Sequence, residues 1–356
     1  MADENVFEPS EILEMVPVTD DLGGRVLPSL TFYDPNYDKT LLPDYMDEED
    51  WVLFVRRGDG KYHVMKGMAA ESAYYGTEPA SNDRDVLIPF VNTYCQYLSW
   101  PDMLGLFPGL IEDIRNFGAV LSKLAVYQRT IEGDDLFTRR MIITELEYLF
   151  STMRRFYDLF QGIASKTWDI VELDSGGTNS MPYDSFSRVA LSDESPRDAE
   201  NLAKAYGFPA DLATFYSDEA ETFSKIKSFR DNMEHHGETV KTIYPGEEGL
   251  SVDSTDSPYS QFDVWSDDQI GENGLAPLWP FVAIMINHTL SIMPRFIEAL
   301  SNGGLGVLPA LMPDYNVYLR GQHLHNLARL EELRNEDQWG ENFTDDITDN
   351  LGISVN

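Results

Sequence analysis

Arg230-Asp231-Asn232-Met233-Glu234-His235-His236, closed by Gly237, is the stretch of this chain whose residue types and spacing best suit a reaction. A free imidazole titrates at about pH 6.5, so His235 or His236 can take or give a proton near neutrality. RNA cleavage needs that service twice: one proton leaves the 2′-hydroxyl and another joins the departing 5′-oxygen. Arg230 supplies the other requirement, a planar guanidinium that holds a phosphate by two hydrogen bonds and stabilises the charge growing on phosphorus. Such chemistry calls for no metal and no cofactor.

The helix that must carry these side chains is predicted over about 209–236, with Pro209 suited to its first turn and Gly237 to its end. Leu212, Tyr216, Ala220, Phe223 and Ile226 mark its inward stripe, and continuing at about 100° per residue brings positions 230 and 233 to the same face. An arginine there implies a polar pocket or a subunit interface, because a guanidinium among hydrophobes is costly. The same spacing sets His235 roughly 140° round the helix from Arg230. The two converge only through a distorted last turn or through a second protomer. The plainer role of both histidines is to cap the last carbonyls and complement the helix dipole.

Other polar groups are weaker candidates. Arg154 and Arg155, with Arg139 and Arg140, lie in pairs on a neighbouring helix; Arg154 and Arg155 are candidate substrate-binding residues, and all four also suit surface ion pairs. Glu145 and Glu147 of that helix fit a solvated face. His323 and His325 are two apart, and on a helix they point in different directions, which disfavours a metal pair. His288 lies in an apolar helix and reads as a core residue. Nothing matches a P-loop, a dinucleotide fingerprint, a nucleophile elbow or a zinc-protease helix.

The surrounding pattern is mainly α. Ile142, Leu146, Leu149, Met153, Phe156, Phe160 and Ile163 form one stripe within a long helix over about 135–168. Further helices are predicted near 278–301 and 315–336, and the stretch from about 238 to 276 reads as a polar loop suited to a protein partner. Trp51–Val55 and Tyr62–Met65, separated by a Gly-rich turn, predict a small β-hairpin. The domain expectation is an extended N-terminal arm with the hairpin over 1–85, a helical bundle over 86–336, and an acidic, frayed tail over 337–356.

At Arg230, Asp231 and His235, with His236 as the alternative spacing, the sequence resembles the HEPN superfamily, helical bundles whose nuclease members carry an Arg, a polar residue and a His at this separation. The resemblance covers about 135–300. It implies a HEPN-like bundle core acting as a metal-independent endoribonuclease, with Arg230, Asp231, His235 and His236 catalytic. It further implies a homodimer whose two motifs face one another over RNA, often in toxin or antiviral defence. Members of the superfamily also serve as non-catalytic binding modules.

Composition restricts the setting. The net charge of −35, from 61 acidic and 26 basic residues, is spread along the whole chain. Such a surface repels itself in dilute buffer and is screened in near-molar salt, where the Debye length is about 3 Å. Arginine outnumbers lysine by 17 to 9, as expected where lysine stems give way to short carboxylates. We read a halophilic cytoplasm. RNA recognition by so acidic a protein needs a local basic pocket, stacking and shape, since phosphate contacts dominate nucleic-acid affinity. One cysteine, Cys95, excludes an intramolecular disulfide. The acidic start lacks a secretory pattern, and Leu278–Ile297 contains Pro280, Asn287, His288, Pro294 and Arg295, a poor membrane span. The alternative function is a non-catalytic helical interaction or assembly protein, for example a virion component.

Overall fold

The computed structural model describes residues 6–7, 45–47, 50–56, 61–67, 71–79, 85–97, 105–131, 136–169, 180–237, 239–303 and 314–350. The chain divides into two compact units, Met1–Pro108 with Val307–His325, and Gly109–Gly306 with Asn326–Asn356. The first unit thus draws on chain from both sides of the helical unit, not only on the first 85 residues. Most of the arm expected over the first fifty residues lies outside the described residues.

In the first unit, β1 (Val6–Phe7), β2 (Tyr45–Asp47), β3 (Asp50–Arg56) and β4 (Tyr62–Gly67) make an antiparallel sheet ordered β1-β4-β3-β2. Its β3–β4 pair is the hairpin predicted from sequence. A second sheet sets β12 (Asn316–Arg320) between β5 (Ser72–Gly76) and β6 (Asp85–Leu87), and α1 (Pro89–Tyr97) lies beside β12. This corrects the helix expected over 315–336. Val317, Tyr318 and Leu319 favour a pleated surface, and here they find a strand on each side. Asn92 of α1 secures the strand, accepting from the Val317 amide at 2.8 Å. Only Leu324–Arg329, a 3-10 turn, and α8 (Leu330–Asn335) remain helical in that stretch.

The second unit is mainly α. Its long helices are α2 (Phe107–Thr130), α3 (Leu136–Asp169), α6 (Ala210–His236) and α7 (Leu278–Asn302), with α4 (Phe186–Ala190), the short antiparallel pair β7 (Leu191–Ser192) and β8 (Ser195–Pro196), and α5 (Ala199–Tyr206) between α3 and α6. All seven members of the predicted α3 stripe are fully buried. Each such side chain contributes about 1.5–3 kcal/mol by leaving water. No helix among the described residues is long and apolar enough to cross a membrane.

Asp113 of α2 is fully enclosed against Arg155 of α3. Burial pushes its carboxyl above the ordinary range, and Arg155 draws it back only in part. A carboxyl that binds its proton more tightly folded than unfolded stabilises the fold while protonated. Stability from this group therefore declines as pH climbs from the ordinary carboxylate value through the raised one. Asp113→Asn is expected to flatten that part of the stability curve, read from thermal melts across the acid range in molar KCl.

The polar stretch 238–276 is not a plain loop: β9 (Ile243–Pro245) and β10 (Leu250–Asp253) join β11 (Leu275–Pro277) in a three-stranded sheet. The tail is also ordered where described. In α9 (Glu341–Asn350), Phe343, Thr344, Ile347 and Thr348 are buried on one face, an i, i+4 pattern hidden among carboxylates. Asp337 caps that helix by accepting from the amides of Glu341 and Phe343, each at 2.8 Å. Gln128 of α2 then ties the segment down: it accepts from the Trp279 indole and donates to the Trp339 carbonyl, again at 2.8 Å each. Gly340 has φ 68°, and a Cβ there would run into the Trp279 indole. Gly340→Ala is expected to cost about 3 kcal/mol or more. It should release α9, seen as lost amide-exchange protection over 341–350.

Candidate functional site

Helix α6 ends as its sequence indicates, with Gly237 in the left-handed region and its amide bonded to the Asn232 carbonyl. Leu212, Tyr216, Ala220, Phe223 and Ile226 are buried, so the inward stripe is as predicted. Arg230 continues that stripe but keeps 32% of its side-chain surface exposed, and its guanidinium bonds the neighbouring Asp231 at 3.2 Å. Asp231 also receives Lys227 at 2.9 Å, and Lys227 reaches Glu194 at 2.7 Å. Burial acts to raise the Asp231 carboxyl, and the hydrogen bonds from Lys227 and Arg230 outweigh it and hold the group low. His235 is exposed, and no hydrogen bond or ion pair among the described residues joins it to Arg230. The His236 side chain lies outside the described residues.

Arg154 and Arg155 are engaged within the bundle. Arg154 pairs with Asp158 and lies 4.7 Å from the Phe223 ring centroid, and Arg155 holds Asp113. Glu145 is bound by Lys123 at 3.1 Å. Among the described residues no group of three or more His, Cys, Asp or Glu side chains is placed to hold a metal.

The fold does assemble one constellation that sequence spacing did not suggest. Glu219 of α6 is fully enclosed. Its Oε2 accepts from the Tyr157 hydroxyl of α3 at 3.1 Å and lies 3.3 Å from His288 Nε2 of α7, while Oε1 meets the Arg295 guanidinium, also of α7. His288 and Arg295 are seven residues apart, two turns along one helix face, so a single carboxylate reaches both. Burial, then the adjacent Glu219 carboxylate, pushes the Tyr157 phenol well above its usual range, so it stays protonated and donating. The available signal was periodic. Glu219 falls between Tyr216 and Phe223 at steps of three and four, a charge on the stripe.

No family model matches this chain, and no curated protein or solved structure is detectably similar to it. Function has to be argued from these two clusters of side chains and from the charge of the surface.

Proposed function

We propose that this chain is a non-catalytic helical interaction protein adapted to concentrated salt. The observation that supports this reading most is the state of the 230–236 segment. Arg230 is joined to Asp231 and Asp231 to Lys227, while His235 is exposed. A reaction on one phosphate needs imidazole and guanidinium together, and no hydrogen bond or ion pair among the described residues joins His235 to Arg230. The acidic surface adds to this, since a net charge of −35 opposes a polyanionic substrate except where salt screens it.

The competing reading is a homodimeric endoribonuclease of the HEPN type, using Arg230, Asp231, His235 and His236 with RNA. It is favoured by one feature: Arg230 and His235 both keep exposed surface near the end of α6, where a second copy can reach them. Incubating the full chain with RNA in molar KCl separates the two. We expect intact RNA with the native chain and with an Arg230→Ala, His235→Ala double variant. Cleavage by the native chain that the double variant lacks would establish the nuclease.

A further inference from the structure

Helix α3 carries a second stripe, on the side that the bundle leaves uncovered. Phe137, Met141, Thr144 and Tyr148 follow one another at steps of four, three and four, and at about 100° per residue they share a sector roughly 60° wide, opposite the buried Leu146. Phe137 is 74% exposed and Tyr148 39%, Thr144 is exposed, and Met141 is half-buried. Leu136 beside them is 76% exposed, so the two most exposed large hydrophobic side chains among the described residues are neighbours. Contiguous apolar surface of this kind, on a chain with 61 carboxylates, marks an interface.

Steps of three and four along an outer face are those by which one helix seats against another. This stripe is also complementary to itself. Laid antiparallel to a second copy about a point between residues 142 and 143, it sets Phe137 against Tyr148 and Met141 against Thr144, each contact occurring twice as two-fold symmetry requires. On one flank stand Arg140 and Glu147, seven residues apart, and neither side chain has an ion pair among the described residues. The same register brings Arg140 of each copy beside Glu147 of the other. Glu147 Oε1 is enclosed, so that pair forms through Oε2. The opposite flank is already satisfied within the chain, where Lys123 binds Glu145 at 3.1 Å.

We propose that two copies of this chain associate through the outer face of α3, antiparallel, with the Phe137–Tyr148 and Arg140–Glu147 contacts each made twice. From Phe137 to Tyr148 the face is about 17 Å long at 1.5 Å per residue, a single-helix contact that gives a weak pair and not a permanent dimer. Each copy carries a charge of −35, so the pair belongs to concentrated salt, where their repulsion is screened. Helix α6 packs on the opposite side of α3, through Phe150 with Phe229 and Tyr157 with Glu219. The 230–236 segment therefore stands behind this contact, and the pairing is independent of whether that segment cleaves RNA.

The test is pulsed dipolar spectroscopy on the full chain, spin-labelled at Thr144→Cys or Leu136→Cys and frozen from molar KCl; the native Cys95 is buried. In the antiparallel register the two residues 144 are offset along the helix axis by about 5 Å and the two residues 136 by about 20 Å. The label at 144 should therefore give the shorter distance and the label at 136 a clearly longer one. Both couplings should be lost when Phe137→Glu is added, with the circular dichroism spectrum unchanged because that side chain is exposed. Equal short distances at the two sites would mean a parallel pair, and coupling that survives Phe137→Glu would mean another face. Absence of coupling at both sites at the highest protein concentration would leave the face to a different partner. Each of these three results overturns the proposal.

Discussion

Replacing Arg295 by alanine is expected to destabilise the protein by about 3–5 kcal/mol, because it strands a fully enclosed carboxylate. Tyr157 and His288 would remain near Glu219, but neither brings the permanent charge that offsets its desolvation. Chemical denaturation in molar KCl, followed by circular dichroism, gives the size of the loss. The cause is tested by the double variant Glu219→Gln, Arg295→Met, which removes both charges while roughly keeping their volume. It should recover most of the stability, since a neutral side chain no longer needs a cation. Equal losses in the single and double variants would show that packing, not charge, is responsible.

The second large effect belongs to the first unit. Asp85 and Arg320 are cross-strand partners joined by two parallel bonds, Nε to Oδ1 at 2.7 Å and Nη2 to Oδ2 at 2.9 Å, and both are almost fully enclosed. Asp85→Ala leaves that guanidinium unpaired in the interior, again about 3–5 kcal/mol. The Tyr74 ring, with its centroid 5.9 Å from the guanidinium carbon, offers a weak substitute. Arg320→Lys should also lose much of the stability, because an ammonium cannot reproduce the two-bond fork. Amide exchange over 72–76 and 316–320 will report both changes, and protection retained there in Asp85→Ala would refute this account of the sheet.

These two clusters also show what was legible in the sequence. Helices α3 and α6 were legible because a 3.6-residue period runs through them unbroken, and α6 is bounded by Pro209 and Gly237. The β3–β4 hairpin was legible because two apolar runs flank Gly58-Asp59-Gly60. Strand β12 was not, since what makes it a strand is pairing with residues more than 200 positions earlier. Strands β9 to β11 are three or four residues long, too short to show a period.

At the candidate sites the division is similar. The place of Arg230 on the inward stripe could be read from spacing, whereas the links from Arg230 to Asp231 and from Asp231 to Lys227 depend on side-chain conformation. His288 read as a core residue, and it is half-exposed beside a buried carboxylate. Glu219 was lost among 61 acidic residues, although its position between Tyr216 and Phe223 marked it as one that had to be neutralised.

The non-catalytic reading requires that the 230–236 segments of two copies do not face one another, and a spin label can test that directly. Cys95 is the sole cysteine, and it is buried with its thiol pushed far up by burial, so His235→Cys gives one reactive site. The full chain labelled there and frozen from molar KCl should show no short label-to-label distance between copies. A resolved short distance between two labels would set two motifs face to face and contradict the account.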